Sequence, residues 1–230
     1  FMRKKIRVSG LILAIILLAA CATPITVYHS ASALSPPMTS RVLVFPPDVI
    51  VSSVNAGGLR EPNAEWSTDV IVKLNEAIMN HMFNEGIEYV PYGSNEVKDE
   101  HMDILRQAGV MMDGAQITGG STKRFYALGK SSIDALKSYD ADYVFFTELD
   151  ATTSTSGKIA LDILLAGFGV GSTDTFGTTV FRVGLFDMRD GQILYSNFDP
   201  NAINVIGNLS KADQEQMNEA ITHIMAEFPL

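Results

Sequence analysis

Few residues in this chain have the type and spacing that chemistry requires. Asp140, Asp142, Glu148 and Asp150 gather around one strand-like run, Tyr143–Leu149, and carboxylates at a strand end can act as an acid–base pair or hold a cation. Acids at turns and helix ends are also ordinary solvated groups. His29, His81, His101 and His223 are scattered, with no His-Glu-x-x-His pair to grip zinc; His81 and His223 lie beside apolar helix stripes and read as hydrogen-bonded packing residues. Gly129-Lys130-Ser131 matches the end of a phosphate-binding loop, but Arg124 stands where that loop needs its first glycine. Gly167-Phe168-Gly169-Val170-Gly171 follows an apolar run and lacks the last glycine of a dinucleotide loop, so it reads as a turn. No Gly-x-Ser-x-Gly elbow is present for a serine hydrolase. The chain is therefore expected not to be an enzyme and to need no cofactor and no metal.

The remaining reactive group is Cys21, the single cysteine. Arg3, Lys4, Lys5 and Arg7 precede an apolar run from Val8 to Leu17, and Leu18-Ala19-Ala20 lead into Cys21. Basic, apolar and small-residue regions in that order form a secretory signal, and the run is shorter than the roughly 20 residues a spanning helix needs. Phe1 ahead of Met2 is expected to be an artefact of where the reading frame was opened. Leu18-Ala19-Ala20-Cys21 resembles the lipobox of bacterial lipoproteins. The resemblance implies cleavage after Ala20, a diacylglyceryl group on the Cys21 sulfur and acylation of the new amino terminus. It also implies outer-membrane sorting, facing the periplasm, because residue 22 is Ala and not Asp. The plainer alternative is an uncleaved signal anchor with a buried cysteine.

Cleavage would leave 13 of the 17 Lys and Arg against all 26 Asp and Glu, a net charge of −13 against −9 for the whole chain. So acidic a body is repelled by nucleic-acid phosphates and anionic head groups, and attachment to a membrane must come from lipid. With Cys21 modified no thiol remains for disulfides, nucleophilic catalysis or thiolate metal sites.

The elements that would carry these residues are expected as a signal peptide over 1–20, a lipidated tether over 21–40 and one α/β domain over 41–230. Arg41–Phe45 reads as a buried strand stopped by Pro46-Pro47, with Val49–Val51 resuming as an edge. Asn55–Pro62 reads as a loop. A helix capped by Ser67 has Ile71, Leu74, Ile78 and Met82 inward and closes at Gly86; Ile87–Val90 is a short strand. Further helices are expected over 95–112 and 122–139, and Tyr143–Leu149 is the central strand. This alternation favours a mixed sheet with helices in two or three layers. Thr152–Gly157 reads as a polar loop. Asp190-Gly191 between two strand-like runs marks a hairpin, and Ser210 caps a last helix with Met217, Ile221, Ile224 and Phe228 inward.

Ile159–Val170 is an apolar dozen that suits a core helix, a partner face or a membrane contact, with Asp162 opposing deep insertion. Its Ile159, Leu161, Leu164, Leu165 and Phe168, with Leu59 and Arg60 of the Gly57–Pro62 loop, are the candidate partner surface.

Val42–Pro47 and the closing unit Phe181–Ser196 resemble a set of bacterial envelope lipoproteins. In the closing unit, Leu185, Asp187, Gly191 and Tyr195 stand at the positions of that set's strand–turn–strand line. The set includes the curli secretion-channel lipoprotein, the ring lipoprotein of Pel polysaccharide export and the lipoprotein activator of penicillin-binding proteins. The resemblance implies a fold like the amino-terminal domain of the Tol–Pal translocation protein. It further implies a non-catalytic scaffold, ring subunit or activator in envelope assembly, secretion or surface-polymer export, with other envelope proteins or further copies of itself as partners. The paired, alternating strands of a membrane-spanning barrel are not found here. The alternatives are a periplasmic small-ligand-binding module using the acids near Asp150, and a hydrolase of unfamiliar type.

Overall fold

The computed structural model describes residues 26–29, 40–93, 99–118, 126–154, 179–199 and 212–229. Among them one open, mixed sheet of eight strands runs in the order β1-β8-β7-β6-β2-β5, with β3 between β6 and β4. The strands are β1 (Thr26–His29), β2 (Arg41–Val44), β3 (Asp48–Val54), β4 (Arg60–Pro62), β5 (Glu88–Pro91), β6 (Tyr143–Ser154), β7 (Thr179–Asp187) and β8 (Ile193–Asp199). The helices are α1 (Ala64–Asn84), α2 (Asp99–Thr118), α3 (Lys130–Leu136) and α4 (Gln214–Ile224).

The sheet is organised on β6. Val42–Val44 of β2 pair in parallel with Tyr143–Phe145, and Asp48–Val54 of β3 pair in parallel with Glu148–Ser154. Pro46 and Pro47, which have no N–H to give a ladder, fall in the gap between the two, so one edge of β6 receives two successive strands. β3 is thus flanked by β6 and β4 and is not the edge that its prolines suggested.

Alternation along each strand divides the core in two. Val42, Phe145, Leu149, Val183 and Tyr195 face α1 and α4, whereas Leu43, Val144, Phe146 and Phe186 face α2 and α3. Both faces are covered, which settles the architecture as three layers. α1 buries Val70, Leu74, Ala77, Ile78 and Met82, the stripe its spacing predicts, and Gly86 closes it at φ +73°.

Several local expectations change. The cap of α1 is Asn63, whose Oδ1 accepts the Trp66 N–H; Ser67 instead accepts the Val51 N–H and so ties the helix to β3. Arg60–Pro62 is a strand, not loop, and Thr152–Ser154 continue β6. α2 runs on to Thr118 because Met112 and Ala115 remain buried against the sheet. Of the helix expected over 122–139, the described residues 126–139 form only α3 and one 3-10 turn. Before it, the Leu128 N–H binds Gly191 O and Ala127 bridges Gln192, which draws this stretch onto the β7–β8 turn. α4 is capped by Asp213, with Gln216 completing a capping box; Ser210 lies outside the described residues. Thr26–His29, within the expected tether, instead add a strand to the sheet, antiparallel to β8.

Candidate functional site

The strand registers bring together charges that are far apart in sequence. Asp48 stands opposite Glu148, and Glu148 opposite Arg182. Directly opposed residues share a face, so all three lie on the side that α2 crosses. Arg182 Nη1 reaches Glu148 Oε2 at 2.9 Å and Asp113 Oδ1 of α2 at 2.9 Å. One guanidinium therefore bridges sheet and helix. Gly109 of α2 lies over the same group, where a Cβ would stand 3.5 Å from Glu148 Oε2, an ordinary van der Waals distance.

Between α2 and these strand ends lies a cleft of about 430 Å³, with Leu105, Val110 and Phe146 beside the charged groups. Burial pushes the Glu148 carboxyl up, and the Arg182 charge opposes that shift only in part. Asp48, at the exposed mouth, is also raised, first by lost hydration and then by the nearby Asp150 charge. Arg182 Nε is buried without a hydrogen-bond partner. The arrangement suits recognition of a small polar or cationic group beside these carboxylates.

The four acids singled out by sequence separate into two places. Asp142 accepts the Arg41 N–H at 3.0 Å, and Asp140 takes the Arg41 guanidinium through both its carbonyl and its carboxylate, where β6 begins. Glu148 lies six residues farther along β6, in the cleft, and Asp150 beyond it is ion-paired with Arg60. They form no single acid–base pair.

Leu59 and Arg60 sit where β3 turns into β4. Asn55 Oδ1 accepts the N–H groups of Gly57 and Leu59 to close that turn. Leu59 is 66% exposed, whereas Arg60 is occupied by Asp150 and Ser52. Cys21, Ile159, Leu161, Leu164, Leu165 and Phe168 lie outside the described residues. His101 is buried against Tyr92, and His223 lies 3.2 Å from Asp199. Gly129 is the N-cap of α3, and Lys130 and Ser131 are its first two residues. Among the described residues no group of three His, Cys, Asp or Glu is placed to hold a metal ion, and no helix is long and apolar enough to cross a membrane.

Sequence reasoning missed Asp48, Asp113 and Arg182. Arg182 carried a signal, because it is the one charge between Val180 and Leu185 in an apolar strand, and a buried-strand charge needs partners.

No family model and no curated protein matches the chain. Among solved structures it is similar to the PelC dodecamer from Paraburkholderia phytofirmans, at 9% identity and a TM-score of 0.42, over 88% of this chain and 94% of that one. It is similar to lipoprotein GNA1162 from Neisseria meningitidis at 12% identity and 0.34, over 82% and 96%. The LpoB C-terminal domain from Salmonella enterica matches at 16% identity and 0.25, over 69% and 79%. At such scores the likeness carries no weight for function.

Proposed function

We propose that this chain is a lipid-anchored envelope protein, held at the outer membrane and facing the periplasm, that works without catalysis by contact with other proteins. The observation that carries the reading is Cys21: the single thiol of the chain stands immediately after a basic, apolar and small-residue leader. A cysteine that merely packs has no reason to occupy that junction. Several acyl chains there give firm attachment, since each buried CH2 contributes about 0.8 kcal/mol and one chain alone is marginal. A scaffold, ring subunit or activator fits a body whose sheet is sealed by helices on both faces. Cys21→Ser is expected to move the protein from the membrane to the soluble fraction, with mass spectrometry of the parent showing a lipidated residue 21 as the new amino terminus. Membrane retention of the Ser variant would sink the reading.

A second reading, a periplasmic small-ligand-binding module, is favoured by the cleft holding Glu148 and Arg182. Titration calorimetry with small cationic ligands against the parent and Glu148→Gln separates the two; saturable binding lost in the variant supports the ligand module.

A further inference from the structure

β1 begins only five residues after Cys21, so the distance from lipid to sheet is set by the chain itself. Five extended residues span at most about 18 Å. Thr26 is fixed opposite Phe198, and Tyr28 opposite Ser196. The Ser196 hydroxyl accepts a hydrogen bond from Gln116 Nε2 at 3.2 Å, which seats the last turn of α2 beside β1. On that turn Ile117 is 85% exposed, and Val110, two turns back on the same helix face, is 63% exposed. On the same helix Asp113 is paired with Arg182, and Arg106 with Asp103.

Resting on the lipid anchor at Cys21, we infer that the molecule lies against the bilayer on its β1 edge, with the Val110–Ile117 face of α2 seated on the lipid head groups. A tether this short holds the face at a millimolar effective concentration relative to the membrane. Burial of the two exposed apolar side chains in the interface then works against the repulsion of the net negative charge, which salt weakens. The opposite edge of the sheet points elsewhere. β5 lies five strand spacings from β1, about 24 Å away, and Phe83, at the end of α1 that leads into β5, is 75% exposed. That far edge is left for protein partners.

Because lipidation consumes Cys21, one new cysteine can be labelled alone. The lipidated protein carrying Ile117→Cys or Phe83→Cys, each with a fluorophore, is reconstituted into vesicles of phosphatidylethanolamine and phosphatidylglycerol that contain a nitroxide-headgroup lipid. The expected result is loss of fluorescence at position 117 and none at 83. Inserting a Gly/Ser linker of about twenty residues between Pro24 and Ile25 should restore the signal at 117, since such a linker behaves as a flexible coil. Vesicle-bound, lipidated protein with no quenching at 117, or equal quenching at both sites, would overturn the docking while leaving the anchor intact. Shielding of 117 that grows with protein concentration in the absence of vesicles would assign the face to a second copy instead. Protein that fails to sediment with vesicles and still has a free Cys21 thiol overturns the anchor and the docking together.

Discussion

Arg182 is the residue on which the cleft turns. Its side chain is 17% exposed and Glu148's 29%, so the pair is only partly screened by solvent. Arg182→Met keeps the apolar stem and removes the guanidinium, leaving Glu148 half-buried without its cation. The expected loss, read by urea denaturation, is about 1–3 kcal/mol, and adding Glu148→Gln should return part of it. Asp48 and Glu148 bear on pH dependence in a definite sense. Their folded-state carboxyls are raised above the ordinary 3.8 and 4.5, so within that window the folded state binds more protons than the unfolded. Stability contributed by these two groups therefore falls as pH rises through their folded values. Asp48→Asn should accordingly stabilise the protein at neutral pH, by roughly a few tenths of a kcal/mol because the site is exposed. The gain should vanish below the ordinary carboxylate range. A variant less stable than the parent at pH 7 would contradict the assigned shift.

Among the elements, the β7–β8 hairpin depends on its turn. Gly191 has φ +78°, and a Cβ there would stand 2.5 Å from Leu128 O. That contact is with backbone, which cannot swing aside. The same glycine accepts the Leu128 N–H, so the turn also positions the strand-like stretch ahead of α3. Gly191→Ala is expected to cost about 1–3 kcal/mol, seen as a lowered thermal midpoint and earlier amide exchange in β7, β8 and Leu128 together. Unchanged exchange at Leu128 would show the two elements to be independent. On the other face, the Tyr195 hydroxyl and Asn197 Nδ2 both donate to Ile224 O at 2.7 Å, fastening the end of α4 to β8.

At the scale of the whole molecule, the sheet formed by the described residues is open and its outer strands are β1 and β5, with β4 as the short strand beyond β3. Unpaired strand edges are where a second chain adds. For a ring subunit, sedimentation velocity of Cys21→Ser is expected to show a multimer that dissociates on dilution; a strict monomer at all concentrations would favour the ligand-binding reading. What was legible in the sequence and what was not divides along the range of the interactions. The amphipathic stripe of α1, the buried runs of β2 and β6 and the Asp190-Gly191 hairpin were readable, because period and turn chemistry act over a few residues. The anchor proposed at Cys21 likewise rests on contiguous residues alone. Only the tertiary structure decided that Asp48, Glu148, Asp113 and Arg182 meet, that Asp140 and Asp142 serve Arg41 instead, and that Thr26–His29 join the sheet. Those outcomes depend on strand register and helix placement between stretches far apart in sequence, and no local pattern encodes which partner a strand will find.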